Sequence, residues 1–197
     1  AHECYSNFLL AQGRFDEAIV EIKRAEELDP VSPRAILMTS YTLYQARHYD
    51  EAVAKARKGN GMQDNFAQGL IHLGNALTAR GDTDEAVTVL RKAAEIWGKS
   101  GLPRYLLCFA RSAQGNNDAV RLIIEKLLAT SKTDQMKPYF IAMAYVAAGD
   151  FDTAFEWFEK ALEERNEWML WFGIEPKLDP IRSDSRYLSI LERTNNP

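Results

Sequence analysis

An internal repeat constrains this chain more than its composition does. Five short segments of the 197 residues resemble one another: GRFDEAI from Gly13, RHYDEAV from Arg47, GDTDEAV from Gly81, GNNDAV from Gly115 and GDFDTAF from Gly149. Aligned on their alanines (Ala18, Ala52, Ala86, Ala119 and Ala154), they are spaced 34, 34, 33 and 35 residues apart. On this alignment the fourth unit is one residue short in its turn, and the following linker restores the count. A fixed period of this length means stacked supersecondary units, none of which can bury its apolar face alone.

Each segment has the grammar of a helix–turn–helix. A glycine ends the first helix, because a left-handed residue there is cheapest as Gly. Asp or Asn then caps the second helix and favours its positive end; Asp82 and Glu85 have capping-box spacing. Apolar residues at helical period follow, as in Ala18, Ile19, Ile22 and Ala25, or Ala86, Val87, Leu90 and Ala93. Twelve residues before the anchor alanine stand small residues, Ser6, Ser40, Gly74 and Ala142, with Cys108 at eleven in the short unit. Small residues there let paired helices approach closely. Ala25, Gly59, Ala93 and Ala161 recur seven residues after the anchor, and Lys126 breaks that pattern. The expected first helices cover 1–12, 33–46, 65–80, 101–114 and 134–148. The second cover 15–28, 49–58, 83–97, 117–130 and 151–164, with Gly59-Asn60-Gly61 as an inter-repeat turn. Cys4 and Cys108 fall at small or apolar slots and are expected to be buried free thiols.

These features resemble tetratricopeptide (TPR) repeats over residues 1–166. The resemblance implies an all-α, right-handed superhelix of five helix pairs (1–31, 32–64, 65–98, 99–132 and 133–166), closed by a capping segment at 167–197. Because Ala1 falls inside the first expected helix, the chain reads as a piece of a longer protein. The resemblance also implies that the first helices line a concave groove for a peptide or protein. Transferred by slot, the groove residues are Asn7, Arg34, Tyr41, Tyr44, His72, Asn75, Tyr105, Phe109, Tyr139 and Met143, with Leu37, Gln68 and Val146 beside them. Members of the family that clamp a terminal carboxylate use Lys and Asn at set slots. Here Asn7 matches one, but Glu3, Met38, Gln68 and His72 fill the others, so that clamp is not expected.

The tail leaves the repeat pattern. Trp168, Leu170, Trp171, Phe172, Leu178 and Ile181 read as a cap over the last repeat, with an aromatic docking site as the alternative. Asp184 is placed to cap a final helix with Tyr187, Leu188 and Leu191 on its inner stripe. The run Leu178-Asp179-Pro180-Ile181-Arg182-Ser183-Asp184, then Arg186-Tyr187-Leu188 and Leu191, is similar to segments closing TPR regions of bacterial winged-helix regulators, class III adenylate cyclases and Ser/Thr kinases. That likeness implies a sensory or regulatory part of a larger signalling protein. The alternative is a self-association module that brings output domains together through the Trp-rich tail and outer helices.

No catalytic constellation stands out. His2, His48 and His72 form no metal-binding spacing, and no Gly-rich phosphate loop or nucleophile elbow occurs. Glu26-Glu27 and Glu163-Glu164 read as solvated helix faces, and Asp150 and Asp152 as cap residues. The chain is therefore expected to be non-enzymatic, with no cofactor or metal. A net charge of −4 disfavours a nucleic-acid groove, which needs a basic surface. No apolar run approaches the roughly 18–20 residues of a membrane span. The expected partner is a protein or peptide, homo-oligomers included. The expected compartment is the cytoplasm, or outside it if the parent is membrane-anchored.

Overall fold

The computed structural model describes residues 1–63, 66–98, 101–131 and 137–194. Ten helices form five antiparallel pairs: α1 (His2–Ala11) with α2 (Phe15–Leu28), α3 (Pro33–Gln45) with α4 (Tyr49–Gly61), α5 (Ala67–Arg80) with α6 (Thr83–Trp97), α7 (Gly101–Ala113) with α8 (Asn117–Ser131), and α9 (Pro138–Ala148) with α10 (Phe151–Glu163). Two 3-10 segments, Glu167–Trp171 and Pro176–Ile181, lead into α11 (Ser185–Arg193). Among the described residues there is no strand. Successive first helices pack closely on one another, α1 on α3, α3 on α5, α5 on α7 and α7 on α9. The first helices therefore form the inner row of a helix-pair solenoid. The expected unit boundaries at 64/65, 98/99 and 132/133, and the expected start at 134, lie at or within residues outside the described ones.

The repeat grammar has direct physical counterparts. Ser6 Oγ donates to the Ala18 carbonyl at 2.9 Å, and Ser40 Oγ to the Ala52 carbonyl at 2.7 Å. In both pairs the small residue and the anchor are 12 positions apart and buried. At Gly74 a Cβ would overlap Leu90 Cγ, so that slot has no room even for alanine. Ser32 caps α3 by accepting from the Ala35 N–H at 3.3 Å, with Pro33 following. Asp150 caps α10 through the Thr153 N–H at 3.2 Å, and Asp184 caps α11 through the Arg186 N–H at 2.8 Å. Asp152 is instead paired with Arg186 at 2.7 Å.

Several expectations are corrected. The fourth unit is not short. Ala119 is only half-buried, while Val120 is 1% exposed and takes the anchor place opposite buried Cys108. Measured on Val120, the anchors 18, 52, 86, 120 and 154 are all 34 apart, and the later small slot falls on buried Leu127 rather than exposed Lys126. The glycine-position residues 13, 47, 81, 115 and 149 already carry that strict period. Gly59, Asn60 and Gly61 belong to α4, not a turn. Gly59 is there because a Cβ would press on Leu37 Cδ2 at 2.9 Å where α3 crosses. Ala1 is the N-cap rather than part of α1. Asp82 makes no side-chain cap, because Arg80 engages its carboxylate.

Burial also redistributes some side chains. Cys108 is buried, and desolvation pushes its thiol up to about 12, but Cys4 is exposed on the uncovered side of α1. Glu26 is buried and held by Lys55 Nζ at 2.6 and 2.7 Å. Burial alone would raise its pKa; the Lys55 bonds bring it below the usual value. Arg47 adopts φ 65° where its counterparts are glycine, and its guanidinium reaches Asp179 in the tail at 2.8 Å. On α11 the inner stripe is Tyr187 and Ile190 with half-buried Leu191, while Leu188 lies on the opposite face, 50% exposed.

Candidate functional site

The tail does more than cover the last pair. Phe172 packs edge-on against Phe158 of α10 at 5.1 Å and stacks on Tyr187 at 4.7 Å. Leu178 and Ile181 are buried in the same cluster, whereas Leu170 is 53% exposed. The segment then crosses the inner row towards the first repeats. Trp171 meets Tyr41 of α3 edge-on at 5.8 Å, and Ile174 packs with Leu9, Leu10 and Ala18.

Glu175 and Lys177 enter the groove beside Tyr44. The Tyr44 hydroxyl donates to Glu175 Oε1 at 2.6 Å. The Lys177 ammonium donates to the Tyr44 oxygen at 2.5 Å, to Asn75 Oδ1, and to Glu175 Oε1 at 3.4 Å. It also lies 4.5 Å from the Tyr44 ring centre and 5.6 Å from that of Phe109. Both charged side chains are 8% exposed. A buried ion pair is tolerable when hydrogen bonds satisfy both partners, and Tyr44 and Asn75 complete this one. Desolvation pulls the Lys177 pKa down, and Glu175 opposes it.

Between the tail and the middle of the inner row lies a hollow of about 590 Å³. That volume is typical of a ligand cleft. One wall is Tyr41, His72 and Trp171, with Tyr41 edge-on to His72 at 5.8 Å. Tyr105, Tyr139, Phe140 and Trp168 make another part of the lining. There Trp168 stacks on Tyr139 at 6.3 Å and Tyr105 on Phe140 at 5.3 Å. Trp97 and exposed Gln68 edge the opening, and Lys137, paired with Glu167 at 3.3 Å, lies there too. Asn75 and Glu175 are the least exposed polar residues of the lining. Desolvation lowers the His72 pKa to about 4, so its imidazole is neutral at pH 7. Desolvation, then the Glu175 charge, pushes the phenols of Tyr41, Tyr44, Tyr105 and Tyr139 up.

Of the ten groove residues expected from sequence, five line this hollow: Tyr41, His72, Asn75, Tyr105 and Tyr139. Tyr44 and Phe109 line a smaller one of about 320 Å³ beside Lys177. The other three are elsewhere. Met143 is wholly buried in the core that Phe172, Leu178 and Tyr187 close. Arg34 is exposed and paired with Glu3 at 3.3 Å. Asn7 lines neither hollow, and its Oδ1 is buried without a partner. Trp97, Phe140, Glu175 and Lys177 were not among the expected groove residues; Trp168 covers α9 of the last pair as expected and also lines the hollow, whereas Trp171 reaches Tyr41 of α3 instead. The density of aromatics after residue 156 was the available signal. Among the described residues no group of His, Cys, Asp or Glu could hold a metal, and no helix is long and apolar enough to cross a membrane.

Comparison with known proteins agrees with the architecture. Tetratricopeptide-repeat family models match residues 8–65, 67–99 and 139–167, together more than half of the chain. Among solved structures, TTC0263, a thermophilic TPR protein of Thermus thermophilus, is 19% identical with a TM-score of 0.69, covering 97% of each chain. MamA from Desulfovibrio magneticus RS-1 is 20% identical with a TM-score of 0.55, covering 84% of this chain and 94% of that one. A chain of the APC/C hetero-tetramer Cut9-Hcn1 is 17% identical with a TM-score of 0.61, covering 94% of this chain and 37% of that one. At these identities the likeness is one of fold. No curated protein matches the sequence.

Proposed function

As a member of the tetratricopeptide-repeat family, this chain is, we propose, a non-enzymatic interaction module that receives a segment of a partner protein in the hollow between its inner helices and its tail. One observation carries the reading. The tail fills the groove beside Tyr44 yet leaves an aromatic-walled space of about 590 Å³ open over α3, α5, α7 and α9. Aromatic side chains give large contact area at small entropic cost, which suits a protein partner. The tail's likeness to segments closing TPR regions of bacterial regulators, cyclases and kinases supports a regulatory role within a larger signalling protein.

The test is site-specific photo-crosslinking in the native cell, with the crosslinker placed at Gln68 on the rim or at exposed Lys92 on the outer helix α6. Rim-specific capture of one protein is the expected result. Capture from Lys92 alone would move the binding surface to the outer face.

Self-association is the second reading. One observation favours it: Tyr5 and Phe8 stack on each other on α1 while 47% and 55% exposed. The Trp-rich tail no longer supports it, since Trp168 and Trp171 turn into the hollow. Sedimentation of a Tyr5→Ser, Phe8→Ser variant separates the two readings, because groove capture survives it and self-association does not.

A further inference from the structure

We infer that the hollow is a receptor for an organic cation, the guanidinium or ammonium head of an arginine or lysine on the partner segment. This rests on the reading just proposed and names the chemistry of its ligand. The walls supply the first reason. Aromatic rings carry negative faces that attract a desolvated cation, Trp most strongly, and three of the chain's four Trp line this space.

The second reason is an acceptor left without a donor. Glu175 is 6% exposed, and its side-chain bonds, from the Tyr44 hydroxyl, the Lys177 N–H and the Lys177 ammonium, all fall on Oε1. Oε2 takes part in none of them, and Glu175 lines the hollow. Among the described residues it is the one acidic residue of the lining. The hydroxyls of Tyr105 and Tyr139, 4% and 1% exposed, have no hydrogen bond to a described residue either, and both line the same space. An occupant without donors would bury these oxygens unpaired, and an anion would face a carboxylate. A planar guanidinium offers five donors and a flat face for stacking.

The third reason is a precedent on the same surface. Lys177 is already seated by related chemistry: a Tyr hydroxyl, an Asn oxygen and a Glu175 oxygen around one ammonium, with the Phe109 ring centre 5.6 Å away. Among the described residues, the charges opposing a cation are few. Lys177 partly neutralises Glu175 through bonds to Oε1. Lys137 lies in the lining but is paired with Glu167 and half-exposed, and His72 is neutral at pH 7.

The test uses three blocked amino acids as probes. N-acetyl-arginine methylamide, N-acetyl-lysine methylamide and N-acetyl-norleucine methylamide are titrated into the whole chain, followed by Trp fluorescence and calorimetry. The cationic probes should saturate at least about tenfold more tightly than norleucine. Glu175→Gln keeps an oxygen for Tyr44 and Lys177 but removes the charge, and should erase that preference. Trp168→Leu leaves Glu175 in place and should weaken the cationic probes severalfold, which keeps the test decisive if Glu175→Gln fails to fold. Equal binding of norleucine, or no saturation by any probe, overturns the inference while rim-specific crosslinking at Gln68 still stands. Cation binding with no crosslinked protein overturns the partner-segment source and makes the ligand a free amine.

Discussion

Tyr41 and Tyr44 sit one turn apart on α3 and look interchangeable in the sequence, yet they belong to different parts of the inner face. Tyr44 is 2% exposed, covered by the tail and bound into the Glu175–Lys177 pair. Tyr41 keeps one side open to the hollow and shares its wall with His72 and Trp171. On the covered side the Tyr44 hydroxyl, Asn75 and the Glu175–Lys177 pair satisfy one another; the open side holds acceptors and ring faces that line a space. Slot position within a repeat thus identifies the inner face, but what lies across from a slot decides whether it is core or binding surface.

The covered side depends most on the tail's anchor. Phe172→Ala removes a wholly buried ring between Phe158 and Tyr187 and should cost about 3–5 kcal/mol, read by denaturant unfolding. It should also expose Tyr44, so a loss that spares Tyr44 would mean that the tail is held elsewhere. Tyr44→Phe is gentler. It keeps the buried ring but takes one donor from Glu175 and one acceptor from Lys177, an expected cost of about 1–3 kcal/mol in the same measurement. Tyr41→Phe, on the open side, should cost less than Tyr44→Phe, and equal losses would erase the distinction.

His72→Gln should do least at neutral pH and show its effect on acidification. The native pKa of His72 lies near 4, below its ordinary 6.5, so the unfolded chain takes up the proton first. Its contribution is complete above pH 6.5, falls as pH drops from 6.5 towards 4, and falls no further below. The variant should flatten the decline in Tm over that window. Glu26, held low by Lys55, adds acid sensitivity only below its ordinary 4.5, and should behave alike in both proteins.

Much of the solenoid was legible because its determinants are local. The Gly and Asp turn residues, the small residues 12 places before each anchor and the 3.6-residue apolar period all act within one unit. The misreading of the fourth unit came from following the alanine at 119 instead of the glycine positions. Burial of Val120 opposite Cys108 identifies the true register. The hollow was only half legible. Tyr41, His72, Asn75, Tyr105 and Tyr139 follow from slot position, but Glu175 and Lys177 belong to a segment without repeat periodicity. No local pattern says that residue 175 lies against residue 44. The tail's aromatics were recognised as apolar surface needing cover, yet composition does not say which face they cover.

The path of the tail also changes how the molecule holds together. In an open solenoid each unit interacts only with its neighbours, so the end units can fray independently. Here Tyr44–Glu175 and Arg47–Asp179 join positions 131 and 132 residues apart, while Phe172 and Tyr187 stay fixed on the last pair. The array is fastened into a loop, with its second and fifth units sharing one strap. Loosening either end strips contacts from the other, so unfolding becomes a single cooperative event rather than a progressive unzipping. The same strap must be closed late in folding and over a long stretch of chain. The protein therefore folds more slowly than its helical content alone would suggest.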